Sequence, residues 1–330
     1  MAFDNIQLEK GLYTTSKGFT KSLEELDPSE NYVGTELEGL DAYQRQLKRF
    51  NIKVTGHDSD TVEKFFATTS SSVLFPEYVS RAVRTGIEQS DALSKLVATT
   101  TKIDSLDYRA IEVKSNDDEI GLANVGEGAF IPEAVIKTKS NLTKLTKRGR
   151  MLVASYEAIK FQRLDLFTVM LSQIGASIAR DQLIDACNAL NSCGGETVTK
   201  DDPSDLTYED IVKLWNAFSP YNMNTLICSG DVLKKLLSMS EFRDSNAGLN
   251  FHATGSLITP LGAELVRVDG SDNGDTMIGI DSRYALEKVQ AGEVTTDFDK
   301  LIDRQLERAA VTEISGFSPI FNSAVKYMAG

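Results

Sequence analysis

Residues 165–190 read DLFTVMLSQIGASIARDQLIDACNAL, and this stretch sets the scale of the fold. Asp165 stands where a helix N-cap belongs, and Leu166, Phe167, Met170, Leu171, Ile174 and Ile178 follow at helical spacing. Gly194-Gly195 stops the run. About 25 residues at 1.5 Å each make a rod of roughly 37 Å, long enough to be the girder of one layer of a domain.

Immediately upstream lies a different texture. Leu106–Val113 is rich in β-branched and aromatic residues and predicts a strand, whereas Asn116–Gly128 is dense in Gly, Asn and Asp and cannot sustain regular structure. A second extended run, Ala134–Val153, brings the chain back, so the spacing predicts a protruding hairpin with a long tip. Its returning half carries Lys137, Lys139, Lys144, Lys147, Arg148 and Arg150 without one acidic residue, in a chain of net charge −13. Two readings follow: a solvated basic strand, or an edge that meets acidic surface on an adjacent subunit.

Further toward the N-terminus, Pro76 opens a helix with Tyr78, Val79, Ala82, Val83 and Ile87 on one face, and Gly86 weakens its end. The first seventy residues are the least core-like, with Asp27-Pro28 and the acids Glu24, Glu25, Glu30, Glu36 and Glu38, and they read as an extended arm. Within them Leu40, Tyr43, Leu47 and Phe50 fall at i, i+3, i+7 and i+10. That helical stripe has to dock, either on its own chain or on a neighbouring subunit.

Past Pro203 short helices alternate with short strands. Thr207 and Asp210 form a capping box for a helix through Trp215 and Phe218. Asn224–Cys228 predicts a buried strand and Asp231–Met239 a helix. Leu265–Val268 and Met277–Ile280 predict strands joined across Asn273-Gly274, a hairpin-turn signal. Leu301–Ile314 predicts a long strand with Leu306, Arg308, Ala310, Thr312 and Ile314 on one face, and Phe317–Tyr327 another.

With 330 residues, 41% of them hydrophobic and 25% charged, the chain is globular and large enough for more than one core. Its acidity disfavours a primary nucleic-acid reader, which needs a basic face. Three cysteines, Cys187, Cys193 and Cys228, form no CxxC pair and fit a reducing compartment. No stretch near 18 apolar residues occurs, so neither a signal sequence nor a membrane span is expected.

The chemistry of catalysis is not signalled. Gly126-Glu127-Gly128 lacks the Lys-Ser/Thr end of a phosphate loop, and His57 and His252 have no His or Cys at metal-ligand spacing. Asp269, Ser271, Asn273 and Asp275 have the opening rhythm of a calcium loop, but the twelfth position is Ile280 instead of Glu. No metal, cofactor or catalytic residue is therefore expected.

Five segments, in series, carry a family resemblance: Val73-Leu74-Phe75-Pro76-Glu77-Tyr78-Val79 with Arg81 and Val83; Val97–Thr101; Gly126–Ala129; Ser155–Ile159; and Ile280–Leu286. Together they make residues 40 to 330 similar to the major capsid proteins of tailed bacteriophages, the Hong Kong 97-type fold, in the versions found in prophages of Gram-positive hosts. The resemblance implies an α+β architecture. Residues 1–72 would be an N-terminal arm, 73–105 the start of the peripheral domain, 106–153 the E-loop hairpin, 154–204 the peripheral domain with its spine helix, 205–283 the axial domain, and 284–330 peripheral C-terminal strands. It further implies a structural protein that assembles as hexamers and pentamers into an icosahedral shell around double-stranded DNA, without sequence-specific DNA binding and without a membrane. The expected location is the virion, assembled in the host cytoplasm; the expected partners are further copies of itself, a scaffolding protein, a portal and decoration proteins. Subunit contacts are expected at the basic hairpin strand and at the Leu40, Tyr43, Leu47, Phe50 stripe. Lys114, Lys137 or Lys139 with Asn322 are the candidates for a covalent cross-link of the kind that the founding member makes. The alternatives are an encapsulin-type compartment shell and a soluble α/β enzyme.

Overall fold

The computed structural model describes residues 4, 6–13, 18–112, 124–130, 137–155, 161–202, 205–243, 257–270, 276–292, 294–301 and 306–329. The chain divides into two compact units, the first made of residues 1–90, 148–178 and 294–313, the second of 91–147, 179–293 and 314–330.

In the first unit the segment expected to be an extended arm is instead folded. Helices Phe19–Leu26 and Ala42–Arg49 bury Phe19, Leu23, Ala42, Tyr43 and Leu47 in one core with Phe65 and with Phe75, Tyr78 and Val79 of the helix Phe75–Gln89. The physical reason is local. The second helix starts on a capping box in which Asp41 accepts from the Gln44 amide at 2.7 Å and Gln44 accepts from the Asp41 amide at 3.0 Å, which satisfies two orphan donors. Helix Phe75–Gln89 begins with Pro76 in its first turn, where a missing N–H costs nothing.

The long helix spans Leu164–Asn191, 28 residues, close to the expected bounds. Its first half lies in this unit and packs against Phe75–Gln89 through two glycines. A Cβ on Gly86 would sit 2.1 Å from the Ser172 carbonyl oxygen, and one on Gly175 would sit 2.1 Å from that of Val83. Gly86 is thus not a weak end but the place where two backbones touch. The hairpin Thr295–Leu301 with the first part of Leu306–Pro319 completes the unit.

The expected strand Leu301–Ile314 runs five residues later at each end, and its buried side chains are Val311, Glu313, Ser315 and Ser318. The face expected from alternation carries polar pairs at the surface instead: Arg308 donates to Asp299 at 2.7 Å and Thr312 bonds Thr295 at 2.8 Å, each directly across the hairpin. Thr295–Leu301 is a strand that sequence patterning did not signal.

The second unit holds a five-stranded sheet in the spatial order Glu196–Thr199, Val325–Ala329, Met277–Ile280, Thr225–Cys228, Glu264–Arg267. Helix Tyr208–Asn216 keeps the predicted capping box, with Thr207 and Asp210 exchanging bonds, and Gly230–Ser238 follows as predicted. The predicted Asn273-Gly274 hairpin does not form between its two strands. Thr225–Cys228 lies between them, parallel to Glu264–Arg267 and antiparallel to Met277–Ile280; residues 271–275 lie outside the described residues. Apolar strands such as Thr225–Cys228 and Met277–Ile280 are buried on both faces, which an interior position in the sheet provides and a two-stranded hairpin does not. The predicted last strand, Phe317–Tyr327, is divided: Phe317–Pro319 ends the preceding strand and Val325–Ala329 makes the next.

A second sheet, represented in this unit by three strands, pairs Thr99–Ile103 parallel to Leu286–Ala291, which pairs antiparallel with Ser315–Pro319. From it the hairpin departs. Its strands are shorter than predicted: Ile111–Glu112 pairs antiparallel with Lys137–Thr138, and the return resumes at Thr146–Ser155. The tip falls mostly outside the described residues, and Lys114 with it.

Candidate subunit interface

The stripe Leu40, Tyr43, Leu47, Phe50 is placed by the helix Ala42–Arg49. Tyr43 and Leu47 are 3% and 6% exposed, inside the core of their own unit. The Arg81 guanidinium lies 4.3 Å from the Tyr43 ring centre, and complete burial holds the Tyr43 phenol well above its ordinary value. Leu40 packs on Tyr32 and Leu37, and Phe50 is half-buried under the Arg49 guanidinium. The intrachain reading therefore replaces the neighbour contact for this stripe: the apolar face that would dock outward is already used.

Behind it stands a feature that patterning missed. Arg45 is fully buried. Its Nε donates to Asp27 Oδ2 at 2.7 Å, its Nη1 to Ser29 Oγ at 2.9 Å and to the Leu40 carbonyl at 2.6 Å, and its Nη2 to the Asp27 carbonyl. The guanidinium stacks 4.4 Å from the Tyr32 ring centre, and the Tyr32 hydroxyl donates to the second Asp27 oxygen at 2.6 Å. Partial burial opposes ionisation of Glu24, but bonds from Ser29 and the Ala42 amide, with Arg45 3.6 Å away, hold its carboxyl below the ordinary range. Arg81 closes the same lobe onto helix Phe75–Gln89 through Asp41 at 2.7 Å, Glu77 at 2.9 Å and Thr20 at 2.9 Å. Helical spacing gave no signal for it: two positions from both Tyr43 and Leu47, Arg45 falls on the side of the helix opposite the predicted stripe. On the outside of this lobe Glu30, Glu36, Glu38 and Val33 face solvent.

The basic hairpin residues separate into two kinds. Lys139 is committed to its own unit: its ammonium donates to the Pro319 carbonyl at 2.6 Å and to Ser318 Oγ at 3.3 Å. Arg148 is half-buried and engaged in its own chain. Lys137, Lys144, Lys147 and Arg150 are exposed. The backbone beneath Lys144 is fixed, because a Cβ on Gly316 would lie 2.5 Å from the Lys144 carbonyl oxygen.

Large apolar side chains also face solvent. Phe130 near the hairpin tip is completely exposed, and Leu142 is half-exposed. On the long helix Leu166, Val169 and Met170 form an outward row at i, i+3 and i+4, the middle one 65% exposed.

Of the calcium-like run, Ser271, Asn273 and Asp275 lie outside the described residues, and Asp269 pairs with Arg267 at 2.6 Å while accepting from the Gly230 amide. Among the described residues no group of three potential metal ligands gathers. Burial pushes the thiols of Cys187 and Cys228 up to about 12, so both stay protonated and unreactive at neutral pH. No described helix is long and apolar enough to cross a membrane.

A family model described as phage capsid protein matches residues 138–312, more than half of the chain. No curated protein matches it. Among solved structures, the capsid of a native GTA particle superposes with a TM-score of 0.56 at 13% identity, covering 73% of this chain and 91% of that one. A virus-like particle from Pyrococcus furiosus superposes at 0.52 with 15% identity, covering 77% and 99%. The structure of Microbacterium phage Oxtober96 superposes at 0.51 with 10% identity, covering 72% and 90%. These are likenesses of fold, and the fold they share is the α+β, Hong Kong 97-type one.

Proposed function

The chain belongs to the phage capsid protein family, and from that premise we propose that it builds an icosahedral shell of hexamers and pentamers around double-stranded DNA. It is a structural major capsid protein of the virion. The observation that supports the assembly reading is the outward apolar row Leu166, Val169 and Met170, three large apolar side chains more than half exposed on one helix face. The family match favours a phage coat over an encapsulin-type compartment, and no catalytic step belongs to this function. DNA would be held as cargo, since a net charge of −13 opposes tight phosphate binding.

Within the shell, residues 205–283 form the axial part at hexamer and pentamer centres, supported by their own apolar core around Leu214, Phe218 and Leu226. Residues 106–153 reach a neighbouring subunit, and the exposed cations Lys137, Lys144, Lys147 and Arg150 contribute to that contact. A scaffolding protein, a portal and decoration proteins complete the partner set. Electron microscopy and sedimentation of purified protein test the reading: closed shells, or pentamers and hexamers, are expected, and a subunit that stays monomeric with and without its scaffolding partner overturns it.

A further inference from the structure

The basic hairpin strand requires an acidic counterpart, and the first unit presents one. Residues 22–44 contain seven acids and no Lys or Arg. Four are accounted for inside the chain. Asp27 pairs with Arg45, Glu24 lies beside it, Asp41 pairs with Arg81, and Glu25 has a partner of its own. Glu30, Glu36 and Glu38 remain on the outside, and among the described residues only Glu38 has a further task, accepting from the Gly34 amide at 2.8 Å. The Lys48 ammonium donates to the Glu36 backbone carbonyl at 3.4 Å, not to a carboxylate of the trio.

We propose that the Glu30/Glu36 face of one copy of this chain docks on the Lys144/Lys147 segment of a second copy. The proposal rests on the reading of the hairpin as a subunit contact and names its partner.

Three observations support the match. Both surfaces carry charge of one sign with no side-chain partner among the described residues. Each presents it from a fixed frame: the acids stand on a lobe tied by the buried Arg45, and Lys144 stands on backbone packed against Gly316. Little ordering is left to pay on contact. Each also offers an exposed apolar side chain among the charges, Val33 at 72% on the acidic side and Leu142 at 52% on the basic side. An apolar centre ringed by complementary charge is the usual anatomy of a specific interface. The contact supplies local attraction to a coat whose subunits repel each other at net charge −13.

Charge exchange in the full chain provides the test. Glu30→Lys with Glu36→Lys, and separately Lys144→Glu with Lys147→Glu, should each lower shell yield about ten-fold at moderate salt, since like charges then face each other. The four changes together should restore most of the yield. Circular dichroism on each variant checks that the subunit is folded. Carbodiimide coupling of shells assembled from equal amounts of isotopically light and heavy protein should give light-heavy linkages between residues 144–147 and 30–36. If the basic pair blocks assembly but the four-fold variant does not recover, and no such linkage forms, the acidic lobe is not the partner although the hairpin contact stands. If the basic pair assembles normally, the hairpin contact falls as well.

Discussion

The lobe of residues 19–50 and the returning hairpin strand of residues 137–150 look alike in composition, both charged and poor in long apolar runs, yet one folds inward and the other stays on the surface. The difference lies in spacing and in what the charges find. In the lobe Phe19, Leu23, Tyr43 and Leu47 recur at helical intervals, and Asp27 and Arg45 neutralise each other inside. In the hairpin apolar residues do not recur at any period that buries a face, and most of its cations meet solvent. Charge density alone therefore says nothing about burial; periodicity and pairing decide it.

The sharpest way to break this contrast is to remove the buried cation. Arg45→Ala leaves Asp27 charged, desolvated and unpaired, a loss of about 3–5 kcal/mol for a pair of this kind. Chemical denaturation should show that loss, and hydrogen exchange should show protection lost first over residues 19–50. Wild-type stability in this variant would mean that the lobe is held by its apolar face alone.

A smaller effect separates the two regions by pH. The folded-state carboxyl of Glu24 lies below its ordinary value near 4.5, so it contributes stability that is complete above that value and is lost as pH falls through the depressed folded one. Its oxygens accept from the Ser29 amide at 2.7 Å and the Ala42 amide at 3.0 Å. Exchange protection at these two amides, corrected for the intrinsic rate, should fall in acid. Glu24→Gln should remove that pH dependence. Retained pH dependence in the variant would assign the effect to another carboxylate.

How much of this was legible follows the same logic. The long helix, the Thr207/Asp210 capping box and the buried strands at 225–228 and 277–280 depend on neighbours within a few residues, and their signals were local. Strand order is not local. The Asn273-Gly274 signal named a turn type but could not know that Thr225–Cys228 would take the central position. Gly86 read as a helix weakness because its purpose, contact with Ser172, is supplied by a helix far along the chain. Of the candidate interface, the run of cations was visible at once, but which of them are free was not. That Lys139 reaches the Pro319 carbonyl is a tertiary fact.

That last distinction gives the smallest and most discriminating test. Lys139 and Lys144 are five positions apart in one basic run, and sequence treats them as equivalent. Lys139 holds the backbone at Pro319 with a charge-assisted bond, so Lys139→Ala should cost about 1 kcal/mol of subunit stability, discounted for partial exposure. Lys144 has no side-chain bond among the described residues to lose, and an exposed substitution of this kind usually stays within about 0.5 kcal/mol. Its effect belongs to assembly: removing one exposed charge pair per contact should flatten the salt dependence of shell formation, because such pairs are screened over a Debye length of roughly 8–10 Å. Thermal melts of the subunit and light scattering of assembly across salt, run on both variants, should therefore give opposite patterns. Lys139→Ala should lower the melt and leave the salt slope unchanged; Lys144→Ala should leave the melt and reduce the slope. Identical behaviour of the two would mean that the hairpin cations act only as a diffuse field, and that the placement of individual side chains on this strand does not matter to the coat.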